Sequence, residues 1–284
     1  MTARPDRQRR ALRRGRQAAP ATAIAVAVLV GLLLPVYWVG ATSVRDRMDV
    51  IVDPLGAPTN PTLDNFVRAW IDGNFSTYFV NSVIVAVPTV AAVVVLSLLA
   101  GFALAVYRFP GRNLIFGLFI IGLTIPIGVL VIPLFYQMKA MALLDTPMAL
   151  ILPQVALGLP LGILLMRGYI QELPRELLDA ARVDGCTDWQ LLVRIVAPLS
   201  RPVTLSLIVL TFMWTWNQFI LAVVLTQTEE SRTLPIGLSL FRGRFGVDLP
   251  VLMAGACITF LPILLVYLVF QRHFIRGISA GAFK

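Results

Sequence analysis

The chain has 284 residues, of which 58% are apolar and 14% charged, whereas about a quarter of the residues of a soluble domain are charged. This composition indicates a protein embedded in a lipid bilayer. The two Cys residues and single His exclude a disulfide-stapled fold and a Cys/His zinc site, because each needs more cysteines or more ligands. The net charge of +9 fits either nucleic-acid binding or basic cytoplasmic loops of a membrane protein, so the positions of the charges decide.

Six long stretches contain no Asp, Glu, Lys or Arg, and each is long enough to cross a bilayer as a helix of roughly 20 residues. In chain order they are residues 17–44, 73–107, 113–138, 146–166, 202–228 and 249–271. Buried helices of soluble proteins are usually shorter or have a polar face, and residues 23–36 have none. The sequence therefore predicts an all-α integral membrane protein with six transmembrane helices.

The basic residues predict the orientation of these spans. If the N-terminus is cytoplasmic, 17 of the 24 Lys and Arg residues fall on cytoplasmic segments, as the positive-inside rule requires. Seven of them lie in an Arg-rich N-terminal segment, residues 1–19, where a topogenic anchor explains the charge without a nucleic-acid partner. The first apolar run is longer than that of a signal peptide, so we expect it to stay uncleaved. We predict cytoplasmic N- and C-termini and a six-span domain over residues 20–284.

The source of energy is inferred from what the sequence lacks. The six stretches carry none of the ionisable side chains that ion-coupled transporters place in the membrane. The sequence also lacks the GxxxxGK[ST] phosphate-binding loop, so it provides no ATPase site of the usual kind. The chain is then either a passive pore or a subunit that receives energy from a partner, and a partner needs a docking surface in water.

One connection offers such a surface. Residues 167–201 contain five basic and five acidic residues, so this segment faces water. Its pattern predicts two short helices, the first ending at the natural cap Gly185 and the second opening with the capping-box spacing of residues 187–190. The small side chains of Ala180 and Ala181 would let another protein approach closely. The alternative is an amphipathic hairpin that lies on the lipid headgroups.

The segment PRELLDAARVDGCTDWQLLVRIVAPLSRP, residues 174–202, resembles the EAA loop of ABC-importer permeases. WNQF at 216–219, RTLPIGL at 232–238 and QRHFIRGISAGAFK at 271–284 resemble the carbohydrate-importer branch, which includes the maltose-type permeases. The resemblance covers essentially the whole chain. It implies the type I ABC-importer permease fold.

By that resemblance, the loop at about 170–202 is a coupling element seated in a groove of a separate ATPase subunit. The residues assigned to coupling are Glu176, Leu177, Asp179, Ala180, Ala181, Asp184 and Gly185. Two positions depart from the family pattern. Asp179 replaces the usual Glu and has a shorter reach, and Cys186 replaces the usual Ala as a small packing residue.

The resemblance further implies an ATP-driven importer of a sugar or oligosaccharide in a bacterial or archaeal cell membrane. The expected partners are a second homologous permease subunit, two ATP-binding subunits and an extracellular solute-binding protein, with no nucleic acid. The chain itself is expected to bind no metal or cofactor, because ATP and Mg belong to the ATPase subunits. The alternatives are a permease for a non-sugar solute, an ion-coupled secondary transporter and a non-transporting membrane scaffold.

The fifth span supplies the candidate substrate path, because aromatic rings and amides suit the CH faces and hydroxyls of sugars. The candidate residues are Trp214, Trp216, Asn217 and Gln218. Alternatively, the tryptophans pack against neighbouring helices and the amides hold helix contacts. The outer loop 227–249 is, by resemblance, a docking surface for the solute-binding protein, or else a solvated loop.

Overall fold

The computed structural model describes residues 5–244 and 248–282, and the side chains of residues 22–239 and 248–271. The side chains of the Arg-rich segment 1–19, of most of the tail 271–284, and of Arg242 and Arg244 lie outside the described residues, as do the predictions placed on them. Every regular element in the described part of the chain is a helix. The predicted all-α class is confirmed.

Thirteen helices follow one another along the described chain. They are α1 (Pro5–Ser43), α2 (Arg47–Val52), α3 (Asp64–Ile71), α4 (Phe75–Val106), α5 (Arg112–Gly122), α6 (Ile127–Ala140), α7 (Pro147–Gln171), α8 (Arg175–Val183), α9 (Asp188–Leu199), α10 (Arg201–Trp216), α11 (Ile220–Leu225), α12 (Leu234–Arg244) and α13 (Leu249–Ala282). Within α9, residues Leu191–Val196 form a π-helical segment. A 3-10 turn at Glu229–Ser231 precedes α12.

Among the described residues, four helices are individually long and apolar enough to cross a membrane: α4, α7, Thr22–Ser43 of α1 and Leu249–Gln271 of α13. The predicted six spans are reached when two bent pairs each count as one span. These pairs are α5 with α6, bent by 101°, and α9 with α10, bent by 74°. The fifth predicted stretch, 202–228, is itself divided into α10 and the short α11.

The bend between α5 and α6 has a local cause. Pro126 lacks an N–H and disfavours helical geometry in the residue before it, so the helix cannot continue through this position. Pro126 instead precedes α6 with an extended backbone, φ −65° and ψ 136°. The Thr124 hydroxyl donates to the Ile121 carbonyl oxygen at 2.8 Å, which satisfies one of the carbonyls left at the end of α5.

Helices α4 and α7 pack closely against each other, and glycines make the close approach possible. A Cβ at Gly101 would lie 2.7 Å from Met166 Cβ and 3.0 Å from the backbone nitrogen of Arg167. A Cβ at Gly158 would lie 2.9 Å from Val93 Cγ2. Small residues at such contacts let membrane helices gain van der Waals contact over their backbones. The two helices therefore form one closely packed unit.

Polar side chains fix the end of α1. Arg45 Nη2 donates to the carbonyl oxygens of Asp49 and Asp53 at 2.9 and 2.7 Å. Asn65 Nδ2, on α3, donates to the carbonyl oxygens of Ser43 and Arg45 at 3.0 and 2.8 Å. The bonds to the Ser43 and Asp53 carbonyl oxygens satisfy acceptors at the ends of α1 and α2 that have no partner within the helix. Arg45 is buried and has a structural role here.

Candidate functional site

The hairpin formed by α8 and α9 has the local structure that its sequence predicts. Helix α8 starts directly after Pro174 and carries Glu176 in its first turn, near the positive end of the helix dipole. It ends at Val183, and Gly185 follows two residues later with a φ of +82°, the left-handed conformation that glycine adopts without strain. The predicted break between the two helices is confirmed.

The capping box at the start of α9 is also confirmed. The Thr187 hydroxyl accepts a hydrogen bond from the Gln190 backbone N–H at 3.3 Å. In return, the Thr187 backbone N–H donates to Gln190 Oε1 at 2.9 Å. Two donors at the helix start are thereby satisfied, so α9 begins at a defined residue.

One face of the hairpin is buried against the ends of α4 and α7. Leu178 and Ala181 of α8 are 7% and 5% exposed. They share an apolar cluster with residues of α4, α7 and α9, namely Phe102, Ile170, Leu191, Leu192 and Val196. This apolar contact attaches the hairpin to the membrane helices.

The opposite face carries most of the residues that the sequence assigns to coupling. Those exposed at the surface are Glu176, Leu177, Asp179, Ala180, Asp184 and Gly185. Ala181 lies on the buried face, so its small side chain permits close packing within the chain, and only Ala180 keeps the outer surface shallow. Successive residues of a helix differ in direction by about 100°, which separates the two alanines.

Two large apolar side chains of the hairpin are also exposed, one on α8 and one on α9. Val183 is 88% exposed and Trp189 is 66% exposed. The sequence analysis does not assign a role to Trp189. Its position inside a capping box on a charged segment is the signal that could have identified it as an exposed residue of the hairpin. These exposed apolar residues make the charged hairpin a candidate contact surface.

The Asp179 carboxylate is engaged within its own helix. It lies 3.5 Å from Arg182 Nη1, one turn further along α8. Their side chains are 70% and 43% exposed, so solvent screens the pair and its contribution to stability is about 0.5 kcal/mol or less. The oxygens of Asp179 therefore remain accessible to another protein.

A second candidate region is a cavity of about 250 Å³ beside the α5–α6 bend. Trp214 of α10 is 38% exposed and lines this cavity, together with Thr211 one turn earlier. The remaining lining residues come from the bend and from α7 and α10: Gly122, Leu123, Ile125, Ile127, Leu157, Gly158, Leu161 and Leu210. Thr211 is missed by the sequence analysis, but its i, i+3 spacing to Trp214 could have indicated it.

The other three candidate path residues have structural partners. Trp216 is 3% exposed, its Nε1 donates to the Thr259 carbonyl oxygen at 3.0 Å, and its ring stacks on Phe212. Asn217 Nδ2 donates to the Met213 carbonyl oxygen at 2.8 Å, at the end of α10. Gln218 Oε1 accepts from the Leu221 N–H at 3.4 Å, at the start of α11. The structure brings Trp214 alone of the four to the lining of this cavity.

The segment after α11 is fixed by the side chain of Asp145, which lies between α6 and α7. One Asp145 carboxylate oxygen accepts from the backbone N–H groups of Gln227 and Thr228 at 2.7 and 3.0 Å, and from the Ser231 hydroxyl. Burial alone raises the pKa of this carboxyl group, but the hydrogen bonds from Ser231, Thr228 and Gln227 outweigh it and hold the pKa well below its usual value. No sequence motif identifies Asp145.

Side chains of α4 also form hydrogen bonds with the segment that follows α11. Asn81 Nδ2 donates to the carbonyl oxygens of Glu230 and Arg232 at 2.6 and 2.9 Å. The backbone N–H of Leu234 donates to Ser82 Oγ at 3.0 Å. The described first part of the outer loop therefore has a defined shape.

Residues 94–280 match the family model described as binding-protein-dependent transport system inner membrane component. The chain belongs to this family. The predicted family resemblance is thereby confirmed, and membrane subunits of this family carry no ATPase site of their own.

Curated relatives extend the likeness over nearly the whole chain. It is 33% identical to the diacetylchitobiose uptake system permease protein NgcG of Streptomyces coelicolor, over 95% of this chain and 90% of that protein. It is 37% identical to the arabinooligosaccharides transport system permease protein AraQ of Halalkalibacterium halodurans, over 92% of each.

The fold of this family member is that of a type I ABC-importer permease. A solved bacterial ABC transporter involved in the import of the acidic polysaccharide alginate superimposes on it with a TM-score of 0.79. The match covers 96% of this chain and 99% of that chain at 22% identity. The predicted fold is confirmed.

We expect Asp145→Asn to reduce stability by about 1 kcal/mol at pH 7, because a charged acceptor of three hydrogen bonds becomes neutral. Asn tolerates the left-handed backbone of this position, φ +65°, so the change isolates the charge. The native pKa is below the unfolded one of about 3.9, so the stabilisation is complete above that value and declines as pH falls towards the native pKa. Thermal unfolding of both proteins in detergent at pH 7, 5 and 3.5 measures this, and a pH-independent difference would contradict it.

Proposed function

We propose that this chain is the permease subunit of an ATP-driven importer of a sugar or oligosaccharide, and that ATP-derived work enters it through the α8–α9 hairpin. The observation that carries the proposal is the division of the hairpin into two faces. One face is buried against α4 and α7, while the other exposes Val183, Trp189 and Ala180. A surface of this kind suits a groove on another protein.

The composition of the exposed face favours a protein partner over the lipid headgroups. Glu176 of α8 and Asp184, the residue after α8, are exposed, whereas Arg175 and Arg182 line a cavity at another side of the helix. Acidic side chains are repelled by the anionic cytoplasmic leaflet, which attracts Lys and Arg instead. A protein groove can place basic groups opposite them.

The proposed assembly follows from the family and the charge distribution. Both termini and the hairpin lie on the cytoplasmic side of a bacterial or archaeal cell membrane, with the Arg-rich segment 1–19 as a topogenic anchor ahead of the six-span domain 20–284. Two ATP-binding subunits hold ATP and Mg and contact the hairpin. A second permease subunit completes the path, and an extracellular solute-binding protein docks on the outer loop 227–249.

The packing supports a route from the hairpin to the cavity. Helix α7 carries Ile170, which contacts the hairpin, and Leu157 and Leu161, which line the cavity around Trp214. The partner can shift the equilibrium between two states only by contacts that differ between them. We assign those contacts to the exposed residues Glu176, Leu177, Asp179, Ala180, Asp184 and Gly185, and we assign close internal packing to Ala181.

The sugar assignment is supported by the relatives and by one side chain. NgcG and AraQ are named for the uptake of diacetylchitobiose and arabinooligosaccharides. In this chain the Trp214 ring and the Thr211 hydroxyl line one cavity, which combines an apolar face with a polar group. This pairing suits a pyranose or furanose ring.

Val183→Glu tests the coupling surface. We expect it to weaken binding of the ATP-binding subunits about tenfold or more, since it places a charge in an apolar contact. The chain itself should fold normally because Val183 is 88% exposed. Co-purification with the ATP-binding subunits and solute-stimulated ATPase activity are the measurements.

The matched control for this test is Val52→Glu. Val52 is 82% exposed on α2, away from the hairpin, and we expect assembly and ATPase activity to be unchanged. If both variants bound the ATP-binding subunits equally well, the exposed face of the hairpin would not be part of the interface.

Trp214→Ala tests the sugar path. We expect uptake of diacetylchitobiose or an arabinooligosaccharide, whichever the importer accepts, to fall by up to about tenfold with unchanged thermal stability. Trp216→Ala should instead lower the stability by about 3–5 kcal/mol, because its ring is buried among helices. Uptake assays and thermal unfolding separate the two effects. Transport of methionine but of neither sugar would refute the substrate class while leaving ATPase coupling intact.

A further inference from the structure

A cavity of about 310 Å³ lies between the end of α4, the start of α5 and one side of α8. Among the described residues that line it, four are arginines and one is an aspartate. The lining residues are Val106, Arg108, Arg112, Arg175, Leu178, Asp179 and Arg182. On α8, the stripe 175, 178, 179 and 182 faces this cavity, beside the outward stripe 176, 180 and 183.

The positive charge of this cavity is only partly compensated. Asp179 is 3.5 Å from Arg182, and Arg112 Nη1 donates to the Tyr107 carbonyl oxygen at 3.1 Å. No hydrogen bond or ion pair joins the side chain of Arg108 or of Arg175 to another residue within the described part of the chain.

The other nearby carboxylate, Asp188, faces the hydroxyl of Tyr107. Burial of this hydroxyl, together with Asp188, raises the pKa of Tyr107. Counting Asp179 and Asp188 against the four arginines still leaves a surplus of two positive charges. Guanidinium groups converging on one cavity suit a phosphate, whose oxygens accept paired N–H donors.

The position of the cavity indicates the source of that phosphate. Val106 is the last residue of the apolar helix α4, so the cavity lies where a membrane span ends. From it, α5 presents an exposed apolar stripe of Leu114, Leu118 and Ile121, which are 69%, 60% and 59% exposed. Their i, i+4, i+7 spacing forms one face of the helix. A phosphate at the cavity and an acyl chain along this stripe can belong to one molecule.

We propose that this cavity holds the phosphate of an anionic phospholipid headgroup, with an acyl chain lying along the exposed stripe of α5. The headgroup bridges Arg108 and Arg112 at the start of α5 to Arg175 and Arg182 of α8. The lipid thereby links the hairpin to the membrane surface. The site is independent of the transported solute, so its test requires no transport.

The test uses the purified full-length chain, delipidated in a neutral detergent and titrated with phosphatidylglycerol or phosphatidylcholine in mixed micelles. We expect phosphatidylglycerol to raise the melting temperature at a concentration about tenfold or more below that of phosphatidylcholine. Arg108→Gln with Arg175→Gln should abolish this preference. The matched control, Arg194→Gln with Arg201→Gln, removes the same charge from exposed arginines of the same region outside the cavity and should retain it.

Three results would overturn the assignment. An equal preference in the cavity variant and the control would show that the lipid binds elsewhere. Inorganic phosphate that stabilises the chain as well as phosphatidylglycerol does would show a site for free phosphate. A preference that disappears when the ATP-binding subunits are added would show that the arginines serve a protein contact. If the double variant does not accumulate, Arg108→Gln alone can be used for the same test, because the Arg108 side chain is exposed and its substitution should not disturb folding.

Discussion

The burial of Leu178 and Ala181 against the ends of α4 and α7 is the contact on which the functional arrangement depends. The α8–α9 hairpin is charged and connects two apolar segments, so without this contact it would be a solvated loop. Apolar burial fixes its distance and its rotation relative to the helices. The same contact decides which residues of α8 face outward.

The packing of α4 against α7 extends this contact into the membrane. A Cβ at Gly101 would meet the backbone of α7, and a Cβ at Gly158 would meet the Val93 side chain of α4, so the two helices approach closely at both positions. Close-packed interiors transmit strain, and on that basis we propose that a shift of the hairpin is carried along α7. This helix also lines the cavity at Trp214. The permease thus has a continuous packed route from its surface to its interior.

Local chemistry explains which features could be predicted from the sequence. Charge-free stretches predict membrane helices because lipid excludes ionised groups, and Gly185 and Thr187 predict helix ends because capping is a property of neighbouring residues. The EAA-like pattern identifies the family for a similar reason, because all of its residues lie within one contiguous segment of the chain. These signals identified the hairpin and most of its exposed face.

Long-range packing explains what the sequence did not reveal. Trp214 and Trp216 are two residues apart in one apolar helix, and only their neighbours direct one to a cavity and the other to a buried stack. Asp145 acquires its role from residues more than 80 positions away. The 101° bend at Pro126 turned one predicted span into two helices. Proline marks such a break, but neighbouring helices set its angle.

The most direct test uses the assembled importer in proteoliposomes, with the substitution Leu178→Ala in this chain. The measured quantity is the number of sugar molecules imported per ATP hydrolysed. This change removes buried contact between hairpin and helices, about 2–5 kcal/mol for a core leucine, but leaves the outward face intact. We predict that the ATP-binding subunits still assemble and hydrolyse ATP while the ratio of sugar imported to ATP hydrolysed falls. Val193→Ala, at a 46% exposed position of α9, should leave it unchanged. An unaltered ratio in Leu178→Ala would contradict the claim that the buried face transmits the work of ATP.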